Sequence, residues 1–224
     1  MLRIYFGKIY KSPFGFFIMK DMNLFRVRDS VCLREVSSKE EVLKDLDFDG
    51  FLIRGNEKVA RSIIASLKDI ARNSVPSKLG TEVPSSSGKV KWKIGIYGGD
   101  DSFNRRVIET LKIDYLVSPE KFAKFDNLKQ RDGGLNHVVA KTAAEKGIRI
   151  VVDMGEIAGL RGREKAMRLA KVMQNVKVCR KVGCRILIAS LGRKKSEVFD
   201  EKGRKSFGGS LGMSSFEVRD CVLF

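Results

Sequence analysis

The residues of this chain that could do acid–base or metal chemistry are few. Its 224 residues include a single histidine, His137. A metal-dependent hydrolase on an α/β scaffold needs several histidine and carboxylate ligands at the ends of its strands. No nucleophile signature stands near His137, so neither a Ser-His-Asp nor a Cys-His arrangement is predicted. We therefore expect no catalytic residue and no metal ligand in this chain.

Glycine-rich and cysteine motifs are also expected to be structural. Gly98-Gly99-Asp100-Asp101 follows a strand and precedes a helix, a place where α/β proteins bind phosphate. It lacks the third glycine of a dinucleotide fingerprint, and its acids would repel phosphate, so a tight turn with an Asp cap is predicted. The small residues 208–212 should let a helix pack closely. Cys179 and Cys184 lack the second ligand pair of a zinc site, which favours buried thiols.

The charge of the chain is strongly positive, with 44 Lys and Arg against 27 Asp and Glu and a net of +17. Such an imbalance favours a polyanionic partner. Residues 161–205 contain fifteen bases and four acids, a net of +11. Many cations and few acids suit contact with a phosphate backbone. Aromatic residues in this segment and just after it are limited to Phe199 and Phe207, so RNA recognised by its shape fits better than base stacking.

Hydrophobic patterns predict strands and helices in alternation. Strands are predicted at 50–54, 91–97, 114–118, 148–153 and 185–190, and two earlier ones at 1–10 and 14–19. Helices are predicted after Asn56, from Asp101 or Ser102, and over 135–146 and 162–182, with further helical segments from about Gly203. The alternation indicates a parallel sheet buried on both faces, either open or closed into a (β/α) barrel. A full barrel needs about 250 residues, so a barrel here would be compact or irregular.

One domain is expected over residues 1–224. Residues 74–89 are rich in proline, glycine and serine, and the strand–helix rhythm resumes after them, so they are predicted to be a flexible insertion. No stretch is apolar enough to span a bilayer, and we expect a cytoplasmic protein with no membrane partner.

A block of segments in fixed order marks a family. From Trp92 onward the chain reads KIGIY at 93–97, RRVI at 105–108, DYLVSP at 114–119, RDGGLNHVVAK at 131–141, IVVD at 150–153, RILIAS at 185–190 and SLGM at 210–213. This block, over roughly three-fifths of the chain, resembles the barrel-shaped protein subunit of archaeal and eukaryotic ribonuclease P, called protein component 3 in archaea. The strand at 185–190 ends Ala-Ser-Leu-Gly, where relatives carry more polar residues.

The resemblance implies a compact, irregular TIM-like (β/α) barrel related to the PHP fold. It implies a subunit that binds and helps to fold the catalytic RNA of ribonuclease P, which removes the 5′ leader from precursor tRNA. The expected partners are that RNA, precursor tRNA, a small ferredoxin-like subunit and other holoenzyme proteins. Catalysis would lie with the RNA and its Mg²⁺, with no cofactor bound by this protein.

The predicted contact residues have two sources. The resemblance implies RNA contacts at Arg105, Arg106, Arg131, Lys141, Arg163, Arg185 and Lys195. The basic segment adds Arg161, Arg168, Arg193, Lys194, Arg204 and Lys205. Asp132, Asn136 and His137 are expected to shape the loop before a helix, although His137 could instead contact a phosphate near the helix N-terminus.

Two other function classes fit parts of the pattern. A (β/α) barrel enzyme acting on a phosphorylated small molecule would use acids at strand ends, and only Asp153 and the turn at 98–101 are candidates. A basic scaffold that contacts acidic proteins would need no more than the charge.

Overall fold

The described part of the chain forms a seven-stranded parallel sheet in which neighbouring strands follow the order of the sequence. A computed structural model describes residues 21–24, 30–43, 46, 48–73, 92–123 and 132–224. The strands are β1 Met22–Asn23, β2 Val31–Val36, β3 Gly50–Ile53, β4 Lys93–Tyr97, β5 Tyr115–Val117, β6 Arg149–Asp153 and β7 Ile186–Ala189. Such an order with all strands parallel is the arrangement of a (β/α) barrel.

The two edges of the sheet are joined by the chain that follows β7. The Leu191 amide donates to the Met22 carbonyl at 2.9 Å, and the Leu24 amide donates to the Gly192 carbonyl at 2.9 Å. The Asp21 carboxylate also accepts the Ser190 amide at 3.0 Å. The alternative that the sequence left open, an open doubly wound sheet, is therefore replaced by a nearly closed TIM-like barrel. The described residues contribute seven strands, one fewer than the eight of a full (β/α) barrel.

Helices cover the outside of the barrel. They are α1 Lys39–Leu43, α2 Glu57–Asn73, α3 Asp101–Thr110, α4 His137–Glu145, α5 Met154–Gly159, α6 Gly162–Val182, α7 Glu201–Ser210 and α8 Ser215–Asp220. Polar side chains fix several of the starts. Asn56 accepts the Val59 amide at 3.0 Å, and Asp100 accepts the Phe103 amide at 2.7 Å, which confirms both predicted caps. Among the described residues no helix is long and apolar enough to cross a membrane.

Alternate residues of the strands face opposite sides, which separates an inner core from two outer ones. Leu33, Leu52, Val117 and Val151 belong to the cluster inside the barrel. The outer clusters lie between the strands and the helices. A Cβ added at Gly208 would lie 3.1 Å from Ile188 Cδ1, so the predicted close packing of the small residues of α7 is confirmed.

Some sequence-based predictions miss the structure or fall outside it. Strands β1 and β2 were not predicted. The strands predicted at 1–10 and 14–19, and the insertion at 74–89, lie outside the described residues. The periodicity of residues 162–182 predicts one apolar face with Ala166, Leu169, Val172, Met173, Val176 and Cys179. This prediction is wrong at Ala166 and Met173, which are not buried, whereas Arg168 and Asn175 of α6 are buried.

Candidate nucleic-acid interface

Exposed cations without an acid partner are the first candidates for phosphate contact. Five of the predicted contact residues are exposed and form no ion pair with a described acid, and this group is called the unpaired set. Its members are Lys141, Arg161, Arg163, Arg185 and Lys195. A phosphate can neutralise such cations without first displacing a carboxylate.

Other predicted contacts are already paired with acids at the surface. Arg105 binds Glu109 at 2.8 Å, and Arg106 binds Glu57 at 3.0 Å. The remaining pairs are Arg193 with Glu35 at 2.7 Å, Lys194 with Glu197 at 3.5 Å and Lys205 with Glu201 at 2.7 Å. Each carboxylate cancels most of the field of its cation, so these residues attract a phosphate less than the unpaired set does. Arg131 lies outside the described residues.

Arg168 and Arg204 correct the sequence-based expectation, because both are buried. The Arg168 side chain is 10% exposed and lies 3.7 Å from Glu120 and 3.8 Å from Glu156. The Arg204 side chain is 2% exposed, lies 3.4 Å from Asp21, and donates to the Ile188 carbonyl at 3.2 Å. A buried guanidinium requires such partners. These arginines therefore face acids inside the barrel and are not exposed for contact with RNA.

Two of the three residues that were predicted to shape the loop before α4 make hydrogen bonds there. The Asp132 carboxylate accepts the Gly134 amide at 2.9 Å, and Asn136 caps α4 by accepting the Val139 amide at 2.9 Å. Gly134 has φ +75°, and a Cβ there would overlap the Pro119 carbonyl oxygen, so only glycine fits. His137, the first residue of α4, is exposed and has no hydrogen bond to a described residue, so its loop-shaping role is not supported by a contact.

Two buried asparagines that the sequence reasoning missed hold this loop to its neighbours. Asn104 on α3 donates to the Gly134 carbonyl at 3.0 Å and accepts the Gly99 amide at 2.8 Å. Asn175 on α6 donates to the Gly133 carbonyl at 2.8 Å. An asparagine on the predicted inner face of a helix is the signal that could have found both, because a buried amide requires polar partners.

At the carboxyl ends of the strands, where barrel enzymes place their active sites, the charged side chains bind one another. Glu35 accepts Arg54 at 2.5 Å and Arg193 at 2.7 Å. The Arg54 guanidinium lies 4.8 Å from the centroid of the Tyr97 ring. Burial raises the pKa of Tyr97, so the phenol stays neutral. This group of Glu35, Arg54, Tyr97 and Arg193 is called the mouth cluster.

A second group of acids lies beside the mouth cluster and is called the inner acid cluster. It comprises Glu120, Asp153 and Glu156, with Lys121 and Arg168 as the facing cations. Burial raises the pKa of Glu120 to about 7 and that of Asp153 to about 7. Asp153 caps α5 by accepting the Glu156 amide at 2.8 Å. Among the described residues no group of His, Cys, Asp and Glu could hold a metal ion.

The charged residues that an enzyme acting on a small molecule could use are thus engaged in structural contacts. Asp153 and Asp100 cap helices, and the two arginines of the mouth cluster share Glu35. The cysteines Cys32, Cys179, Cys184 and Cys221 are free and buried, which confirms the prediction of buried thiols. A hydrogen bond from Cys179 lowers the pKa of Cys184 within that buried pair.

Relatives of known name support the predicted resemblance. The chain is 29% identical over 128 residues to ribonuclease P protein component 3 of Methanococcoides burtonii, a match that covers 57% of this chain and 48% of that protein. It is 22% identical to component 3 of Methanocaldococcus jannaschii, over 80% of this chain and 81% of the relative. The first match spans about half the length of its relative. No family model matches the chain.

Solved structures share the fold. A chain of an archaeal ribonuclease P, determined by cryo-electron microscopy with mature tRNA, aligns with a TM-score of 0.52 and 20% identity over 89% of this chain and 86% of that chain. The crystal structure of an amidohydrolase aligns with a TM-score of 0.51 and 12% identity over 82% of this chain and 43% of that chain. The predicted TIM-like barrel is confirmed, and the chain resembles the archaeal component 3 proteins.

Proposed function

We propose that this chain is a protein subunit of a ribonuclease P and that it binds the RNA of that enzyme through phosphate contacts. The observation that carries the proposal is the unpaired set, five exposed cations without a described acid partner on a TIM-like barrel. The similarity to component 3 proteins of archaea supports the identity of the RNA.

The positions of the unpaired set suit an extended polyanion. Arg161 and Arg163 lie at the start of α6, and Lys195 follows β7, so these residues lie at the carboxyl-end rim of neighbouring strands. Arg185 precedes β7 at the opposite rim. Lys141 lies on α4, which packs against α6. Cations distributed in this way can contact successive phosphates of a folded RNA without reading its sequence.

In this proposal the protein supplies binding, while cleavage of precursor tRNA is carried out by the RNA with its own Mg²⁺. The acids at the mouth of the barrel support that division, because they are engaged with arginines or cap helices. A small ferredoxin-like subunit and other holoenzyme proteins are the proposed protein partners, and the cytoplasm is the proposed location.

Reconstitution tests the proposal. Ribonuclease P RNA and the other protein subunits are assembled with and without this chain, and cleavage of precursor tRNA is measured at lowered Mg²⁺. We expect cleavage to fall when the chain is omitted and to recover when it is added back, because protein cations replace part of the Mg²⁺ that screens RNA phosphates.

An unrelated protein of similar net charge serves as the control for non-specific screening and should not restore activity. Cleavage that is unchanged by omission, or restored equally by the control protein, would contradict the proposed function.

A further inference from the structure

We propose that a cavity between α6, β7 and α8 binds one unstacked base of the RNA, with Phe216 as the stacking surface. The inference rests on the proposed function and adds a specific interaction to it. The cavity has a volume of about 200 Å³. Val176, Ile186 and Met213 form apolar parts of its lining, and Arg180, Arg185 and Phe216 contribute to its rim.

Phe216 is unusually exposed for a phenylalanine. Its exposed fraction is 70%, higher than that of the other large apolar side chains of the described residues, including Val138 at 62%. The Arg219 guanidinium lies 4.3 Å from the centroid of the ring and covers one face of it. A base that stacks on an aromatic ring contributes binding free energy whatever its sequence identity, because every base has a π-face. A guanidinium at the same ring extends the platform.

The local charges leave one cation beside the ring, which favours an anionic ligand over an uncharged one, and the ring itself favours a ligand with a flat π-face. Glu217 and Asp220 also line the cavity, but both are held by arginines. Arg180 donates two hydrogen bonds to Glu217, at 2.9 Å and 2.6 Å, and this pair lowers the pKa of Glu217 to about 2. Arg185 belongs to the unpaired set and is free to bind the phosphate of the stacked nucleotide.

The site is held in place before any ligand arrives. Arg180 also donates to the Gly212 carbonyl at 2.6 Å, which ties α6 to the turn before α8. Ser214 and Glu217 form a reciprocal capping box at the start of α8. Phe216 lies inside that first turn, so its backbone is fixed. A rigid platform loses less conformational entropy on binding than a mobile one does.

Phe216→Ala tests the platform, with Phe216→Tyr as the conservative variant and Val138→Ala as a matched exposed control. We expect Phe216→Ala to weaken binding to ribonuclease P RNA by roughly 5- to 150-fold, the range for removal of one stacked base. Phe216→Tyr should restore binding, and Val138→Ala should match the wild type. Because Phe216→Ala removes no cation, it should keep the wild-type dependence of affinity on salt, whereas Arg185→Gln should reduce its slope by about 0.7.

A fluorescence reporter shows whether a base reaches the site. The only tryptophan, Trp92, packs edge-on to Phe51 at 5.9 Å between ring centroids, so Trp92→Phe is a mild change. The double variant Trp92→Phe, Phe216→Trp contains a single indole, which lies at the proposed stacking surface. Titration with ribonuclease P RNA should quench that indole, and an indole placed by Val138→Trp in the same background should be quenched less.

The outcomes separate the two proposals. If the wild-type chain binds no ribonuclease P RNA, the proposed function fails. If the wild type binds it and Phe216→Ala binds equally well, or if the indole at position 216 is not quenched, only the base site is wrong. Loss of association with another protein subunit in Phe216→Ala, with RNA affinity unchanged, would also overturn the base site, because the surface would then dock a protein.

Discussion

At the mouth of the barrel Glu35 binds two arginines, and in the inner acid cluster Arg168 lies between Glu120 and Glu156. In the unpaired set, by contrast, Arg163 at the start of α6 and Arg185 before β7 have no acid partner among the described residues. The two regions contain the same type of residue, yet one uses its charge internally and the other presents it to solvent. The difference teaches that the charge of a cation is available to a partner only where the fold places no acid beside it.

The largest effect is expected where an internal pair is broken. Arg204→Met removes the guanidinium that faces Asp21 at 3.4 Å and leaves a buried carboxylate without its cation. Removal of one partner of a buried pair costs about 3–5 kcal/mol. Urea unfolding should show that decrease in the free energy of unfolding. Lys205→Met, at an adjacent and more exposed pair, should cost less than about 1 kcal/mol. Equal effects of the two would mean that Arg204 is not structural.

The inner acid cluster should make stability depend on pH. The pKa of Glu120 is raised from 4.5 to about 7 in the folded protein, so the native state holds this proton more tightly than the unfolded chain does. The contribution of Glu120 to the free energy of unfolding therefore falls as pH rises from about 4.5 to 7 and stays constant above. Asp153 acts in the same direction.

Glu120→Gln should flatten that dependence. In the wild type, Glu120 should lower the free energy of unfolding by up to about 3 kcal/mol between pH 5 and pH 8, a value that follows from the size of its pKa shift. In Glu120→Gln this part of the decrease should be absent. Thermal unfolding across that pH range measures it. Glu109→Gln removes an exposed carboxylate of the same type and serves as the control. A Glu120→Gln curve parallel to that of the wild type would show that burial does not perturb this group.

Removal of unpaired rather than paired cations should weaken RNA binding selectively. The triple variant Lys141→Gln, Arg161→Gln, Arg163→Gln should reduce the slope of log affinity against log salt by about 2, because each phosphate that is no longer neutralised lowers it by about 0.7. Its matched control, Arg105→Gln, Arg106→Gln, Lys205→Gln, removes the same charge from acid-paired positions and should reduce the slope less. Filter binding to ribonuclease P RNA at several salt concentrations measures the slope for both variants. Equal reductions would mean that net charge, not its pairing, controls binding.

The smallest effect is expected at the mouth cluster. Arg54→Gln breaks one of the two ion pairs of Glu35 but leaves Arg193 in place, and the Arg54 side chain is 52% exposed. An exposed pair contributes less than about 1 kcal/mol, so chemical unfolding should change little. RNA affinity should also stay close to that of the wild type. A large decrease in RNA affinity would mean that RNA contacts the mouth cluster as well as, or instead of, the unpaired set.

The sequence by itself determined much of the local structure and the strongly basic character of the chain. Periodicity located β3 to β7 to within about two residues at each end, and Asn56 and the Asp cap of the turn at 98–101 marked helix starts, because capping depends on neighbours along the chain. One histidine already argued against metal-ligand chemistry, and net charge indicated a polyanion.

Only the tertiary structure decided which cations remain available. Arg193 and Glu35 are 158 residues apart in sequence, and Asp21 and Ser190 are 169 apart, so neither the pairing at the mouth nor the joining of the sheet edges follows from local patterns. The periodicity of α6 could not place Arg168 inside, because the acid that compensates its burial, Glu120, lies on a distant turn. A charged side chain can be buried only where the fold places an opposite charge beside it, and that placement is a property of the whole fold.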